Sequence, residues 1–302
     1  MPSALEAPPS NARAGGLPPR AAPKKEWVIE PRTAGAVARA REMWNYRFLF
    51  RYFAARMLEK TYARTALGRL WIFIRPLFPV LVNTLVFGGL IGVSSGEVPY
   101  FLFFLAGIAS WQLFDQSIFW ATRSLELNRK FIKRLYFPRM ILPLASVAPA
   151  LVECLIYLGL ILIAAGYYYL STGKLYLIPG VNLLLAFVAM GLSVALAVGM
   201  GLWTSVIGAY IRDVRFTLRY VLSFWFFLTP VIYPSTYIPE KLRWLVALNP
   251  MATLVETFRW GTLGIGEFRP WSFLLAIGII VVVSAGGAWY FAKAEAASVD
   301  KL

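Results

Sequence analysis

The stretch "VNLLLAFVAMGLSVALAVGMGLWTSVIGA", residues 181–209, runs for 29 residues without Asp, Glu, Lys or Arg. A helix rises 1.5 Å per residue, so about 20 apolar residues cross the hydrocarbon core of a bilayer. This run is long enough, and it is not alone. Working outward, similar runs fall at about 72–93, 99–121, 140–169, 220–237 and 271–292. The first carries Pro76 and Pro79 near its start, and the fifth meets Pro230 and Pro234. The bulk composition agrees: 59% of residues are hydrophobic and 15% charged, against about 25% charged in soluble domains. The fold class read from this pattern is an all-α polytopic membrane protein with six transmembrane helices.

Charge orients the spans. The chain holds 30 Lys and Arg against 15 Asp and Glu. With both termini cytoplasmic, 25 of the 30 basic residues lie before the first span or at its entry, in cytoplasmic loops, or in the tail, as cytoplasmic segments require. The basic balance therefore reads as membrane orientation and contact with anionic lipid, and not as nucleic-acid binding. The chain contains no histidine and one cysteine, Cys154. Histidine metal sites, Ser-His-Asp catalysis and an intrachain disulfide are all excluded.

Residues 1–33 are rich in Pro, Ala, Gly and Arg and hold no apolar core segment, the composition of a disordered cytoplasmic arm. The remainder, 34–302, reads as one transmembrane domain. Within it, 35–70 reads as an amphipathic interface helix, because Trp44, Phe48 and Tyr52 recur at spacing four beside Arg47, Arg51 and Lys60. A soluble helix packed on a partner is the plainer alternative. The segment 238–268 is semi-apolar but broken by Asn249-Pro250, Glu256 and Arg259. It fits a re-entrant pair of short helices buried against protein, or an ordinary outer loop with surface helices.

The motifs that carry chemistry are few. A phosphate-binding P-loop needs Gly-x-x-x-x-Gly-Lys-Ser/Thr. The single Gly-Lys pair, Gly173-Lys174, is followed by Leu175 and preceded at the required position by Tyr168, so it fails. The chain is read as a transport subunit and not an enzyme, and any ATPase belongs to another subunit. Two loops face a partner best. In 123–140, Asn128, Phe131, Ile132, Leu135 and Phe137 form an apolar stripe in a basic segment, flanked by Arg134 and Arg139, as in a helix that docks in a groove. In 209–220, Arg212, Asp213, Arg215 and Arg219 sit at a membrane exit. Positive-inside charge alone is the competing account of both loops.

Asp115 and Glu153 fall inside spans, where an ionisable group is a functional candidate by default. A structural hydrogen bond is the alternative. Trp111 and Phe114 in the second span, with Trp225, Tyr233 and Tyr237 in and after the fifth, could stack on sugar rings and line a channel. Aromatic belts at the membrane interface give the same composition. Gly88, Gly92, Gly199 and Gly201 permit close helix packing.

Four stretches together resemble the polysaccharide and polyol-phosphate (O-antigen, teichoic acid) export family of type 2 ABC exporter permeases. "EKTYARTALGRLWIFIRPLF", 59–78, is similar to its opening signature, matched at Leu67, Gly68, Leu70, Trp71, Pro76 and Leu77. "NRKFIKRLYFPRMILPL", 128–144, resembles its first coupling helix and the start of its third span. "IRDVRFTLRYVLSFWFFLTPVIYP", 211–234, resembles its second cytoplasmic turn and fifth span, and "LNPMATLVETFR", 248–259, its outer re-entrant pair. The resemblance covers about 41–292; the arm is outside it.

The resemblance implies a homodimer with two ATP-binding cassette ATPase subunits in a bacterial cytoplasmic (inner) membrane. It implies a channel at the dimer interface carrying a glycan or polyol phosphate on an undecaprenyl-type lipid. ATP and Mg would sit on the partner, with no cofactor or metal bound here. Residues 128–139 and 212–215 would be the ATPase-coupling loops. Arg47, Arg51, Arg56, Arg64 and Arg69 would contact the lipid pyrophosphate at the gate. Export of a small lipid or drug is the nearest competing reading. A membrane glycosyltransferase would need grouped carboxylates, which this chain lacks, and an ion-driven transporter would show two similar halves, which this chain does not.

Overall fold

The computed structural model describes residues 36–62, 70–178, 180–211 and 213–297; the arm at 1–33 lies outside them. Among the described residues all regular structure is helical. The expected interface helix is two pieces, α1 (Ala36–Asn45) and α2 (Arg47–Tyr62). The break is at Tyr46, whose amide is shared between the carbonyls of Glu42 and Met43. One face of α2 buries Phe53 and Met57; the opposite face leaves Phe48 and Tyr52 exposed. The stretch 63–69 lies outside the described residues.

The first apolar run forms α3 (Trp71–Asn83), which continues as a π-helical turn over Thr84–Leu90. Next come α4 (Tyr100–Leu127), a short α5 (Arg129–Ile132), α6 (Ile141–Ala145), α7 (Ala148–Thr172) and α8 (Asn182–Tyr210). The second expected span stops too early: α4 continues through Thr122–Leu127, a polar extension that the apolar run does not include. The third is a single apolar stretch bent at Ser146 and Val147. Beyond α8 lie α9 (Asp213–Leu228), α10 (Arg243–Ala247), α11 (Pro250–Leu263) and α12 (Pro270–Ala297).

Among the described residues, five helices are long and apolar enough to cross a membrane: Phe73–Leu90, Tyr100–Leu127, Ile141–Thr172, Asn182–Tyr210 and Pro270–Glu295. The stretch expected as a span at 220–237 is bounded differently. Its helix, α9, begins earlier, at Asp213, and has 16 residues. It ends where Pro230 removes a backbone donor and biases Thr229 away from helical geometry.

The core is organised around α4, which packs against α7, α8 and α11. Close approach uses missing side chains. Gly201 on α8 lies against Ala121 of α4, and Gly199 against Ser284 of α12. A methyl group at either would collide with its neighbour, so these two glycines set the helix spacing. On α7 the inward stripe is Cys154, Tyr157 and Ile161, at helical spacing. The segment 238–268 holds one substantial helix, α11, with Met251, Leu254, Val255 and Phe258 buried against α4, α8 and α12. Its start is well specified: Asn249 caps it by accepting the Met251 amide at 3.1 Å, and Pro250 takes the first turn.

Candidate functional site

At one end of the bundle, residues 128–139 divide into inward and outward sets. Asn128 is 1% exposed and donates to the Ser124 carbonyl at 2.9 Å, closing α4. Phe137 is buried, and Phe131 packs edge-on to Phe53 of α2 at 5.7 Å between ring centres. Two of the expected docking anchors therefore bind the chain's own interface helix. Leu135 and Tyr136 are exposed, as is Arg134. The Arg139 amide donates to Glu295 of α12 at 2.8 Å. Arg215 pairs with Glu126 across the α4–α9 corner, and Asp213 stands exposed in the first turn of α9. Arg212 lies outside the described residues.

The basic residues assigned to the gate separate in the same way. Arg47 and Arg51 are exposed on α2, with the Arg47 guanidinium over Trp44 at 5.7 Å. Arg56 is half-buried, its guanidinium 4.1 Å from the Phe131 ring centre, and its Nη1 is a buried donor with no partner. Lys60 reaches the Leu127 carbonyl at 3.3 Å. Arg64 and Arg69 lie outside the described residues.

Inside the bundle, Glu153 on α7 comes within electrostatic reach of Asp115 on α4 and of Arg75 on α3, and Asp115 of Arg219 on α9. Glu153 is 6% exposed. The Tyr157 hydroxyl and Gln112 Oε1 are buried without hydrogen-bond partners. Of the aromatic candidates, Trp111 and Phe114 are enclosed, Trp225 and Tyr233 are half-buried, and Tyr237 is exposed. Trp111 and Phe114 are buried and pack on Trp225 at 6.4 and 5.3 Å. The Trp225 indole donates to Asn249 Oδ1 at 2.9 Å, tying α9 to the cap of α11. Tyr233 donates to the Phe227 carbonyl at 2.9 Å. Tyr237 is exposed and its hydroxyl accepts the Ser94 amide at 3.2 Å.

Tyr237 also borders a cavity of about 610 Å³ at the opposite end, shared by Arg243, Arg259, Arg269, Glu256 and Glu267. Sequence reasoning missed the role of Arg259, taking it for a polar interruption. Its side chain is 3% exposed and bonds to three carbonyls. Nε donates to Phe103 at 3.1 Å, Nη1 to Pro230 at 2.6 Å and Nη2 to Val231. The guanidinium lies 3.8 Å from the Phe103 ring centre and fills the space left by Gly107. The signal was available: the chain breaks at Pro230, and a break buried in the bundle exposes carbonyls that need donors. Among the described residues no group of three or more Asp, Glu or Cys is placed to hold a metal ion.

The comparisons with known proteins match this architecture. The family model described as ABC-2 type transporter matches residues 49–263, from α2 through the end of α11. An O-antigen export system permease protein RfbA from Myxococcus xanthus is 30% identical over 222 residues, 72% of this chain and 82% of the relative. An RfbA from Klebsiella pneumoniae is 28% identical over 231 residues, covering 75% and 85%. The polysialic acid transport protein KpsM from Escherichia coli is 25% identical over 211 residues, covering 68% and 77%. The matched region contains most of α2, residues 128–139 and the Arg259-locked helix, and with the family model spanning well over half of its length the chain belongs to the ABC-2 type transporter family.

Proposed function

We propose that this chain is the membrane subunit of an ATP-driven exporter that moves a lipid-linked polysaccharide, O-antigen-like or teichoic-acid-like, across the bacterial cytoplasmic membrane. The observation that carries the reading is the 30% identity to an O-antigen export permease over most of both chains. In this reading six segments span the membrane, with α9 the fifth, both termini are cytoplasmic, and α10 and α11 form the outer re-entrant pair. Two copies enclose the channel, and two ATP-binding cassette ATPases, holding ATP and Mg, dock on 128–139 and 212–215. The exposed Leu135 and Tyr136 beside Arg134 support that docking, because apolar side chains within a basic rim fit a partner groove. The unpartnered Arg56 donor supports a phosphate contact near α2, since guanidinium pairs well with phosphate oxygens.

Purification of the chain from its native membrane in mild detergent tests this. A P-loop protein recovered in near-equal amount, with ATPase activity dependent on this subunit, and loss of a surface glycan on deletion are the expected results. Recovery of the chain alone, with surface glycans intact after deletion, would overturn the reading.

A further inference from the structure

A second cavity, of about 300 Å³, opens between the ends of α4, α8 and α12 and the short α5. Its position is informative. The helices α8 and α12, long and apolar enough to cross a membrane, reach Tyr210 and Glu295, and both residues line the cavity, together with Glu126 in the polar extension of α4. The cavity thus sits at the polar ends of two apolar helices, and headgroups meet spanning helices at such ends. The walls are of two kinds. Ile132, Val206, Phe291 and Ala294 supply apolar surface. Arg129, Lys133, Arg139 and Arg215 supply four cations against two carboxylates, Glu126 and Glu295. Both carboxylates are engaged: Glu126 pairs with Arg215, and Glu295 accepts the Arg139 amide. Arg129 and Lys133 are exposed, and no carboxylate pairs with either among the described residues.

We infer that this cavity binds the phosphate headgroup of an anionic glycerophospholipid, with Arg129 and Lys133 on the phosphate and the first methylenes of the acyl chains on the apolar wall. Charge-assisted hydrogen bonds favour an anion there, and basic pockets between transmembrane helices take anionic headgroups for this reason. A general excess of positive charge does not by itself set an apolar wall beside unpaired cations in one cavity. The inference does not depend on what the protein transports, because it rests on where the helices stop and on which charges remain unpaired.

Native mass spectrometry of the full chain in detergent, with added phosphatidylglycerol or phosphatidylcholine, tests it. Phosphatidylglycerol should be retained about tenfold better than phosphatidylcholine. The preference should vanish in Arg129→Ala/Lys133→Ala, two exposed positions whose loss leaves the core intact. Ala209→Phe, which narrows the slot without changing charge, should weaken retention independently. Equal retention of the two lipids, or unchanged selectivity in both variants, overturns the inference. Inorganic phosphate separates the sources: if millimolar phosphate displaces the lipid, the cavity is a free-anion site and the lipid assignment fails; retention in its presence supports a headgroup held by both walls.

Discussion

Arg259 satisfies three carbonyls at once, two of them freed where α9 stops and the chain turns at Pro230. Arg259→Gln leaves at least one of them buried without a donor, and each such orphan costs about 1–3 kcal/mol. The expected outcome is a clearly lowered thermal unfolding midpoint in detergent. Arg259→Lys should fail to restore it, because a single ammonium cannot reproduce a forked donor; a wild-type midpoint in both variants would refute the lock. The Lys174–Glu97 pair is the opposite case. Both side chains are more than half exposed. The hydrogen bond from Lys174 holds the Glu97 carboxyl below its ordinary range, and the same bond holds the Lys174 ammonium above its own. The pair's contribution is complete between the two ordinary values. It disappears as pH falls through the lowered Glu97 value or rises through the raised Lys174 value. Because exposed pairs contribute little, Lys174→Gln should leave the pH 7 midpoint unmoved, and a large drop would show a buried role. Legibility at this scale followed locality. Asn249-Pro250 announces a capped helix start from adjacent residues. Arg259 gives no local sign of its partners, which lie 156 positions away at Phe103 and 28 positions away at Val231.

At the scale of elements, the interface helix and the 131–145 segment form one aromatic unit. Phe53 meets Phe131 and Phe137, and Ile141, Leu142 and Ala145 complete the cluster. Phe53→Ala should cost about 3–5 kcal/mol and raise amide exchange throughout α2 and α6 together. Exchange confined to α2 would mean the two do not move as one. On the outward side, Leu135→Asp should leave folding intact, since the residue is 55% exposed. It should abolish stimulation of the partner ATPase, measured as nucleotide hydrolysis in the reconstituted complex; full stimulation would remove this segment from the docking surface. The sequence distinguished these elements unevenly. The long uncharged run that became α8 was bounded to within a residue. The stripe 128–137 looked uniform, because helical spacing cannot say which apolar side chains a neighbouring helix will claim. The helix of the fifth segment is bounded differently from its apolar run: α9 takes in the charged first turn at Asp213 and stops before Pro230, leaving Tyr233 and Tyr237 outside it, a boundary set by proline and not by hydropathy.

For the whole molecule, export is the property to measure. Arg51→Glu/Arg56→Glu should abolish appearance of the polymer at the cell surface while the subunit still copurifies with its ATPase. Wild-type export would remove α2 from the phosphate path. The long apolar helices could be read from one sequence, because burial in lipid imposes long uncharged runs that no soluble context tolerates. The polar interior around Asp115, Glu153 and Tyr157 could not, because it is assembled from α3, α4 and α7 only on folding. Beside it lies Cys154, the chain's single thiol, 6% exposed on the inward stripe of α7. The unaltered protein is thus already a single-cysteine reporter: the rate at which a small membrane-permeant maleimide modifies it would time the opening of the bundle around Glu153, with nucleotide added or withheld, and no residue need first be removed.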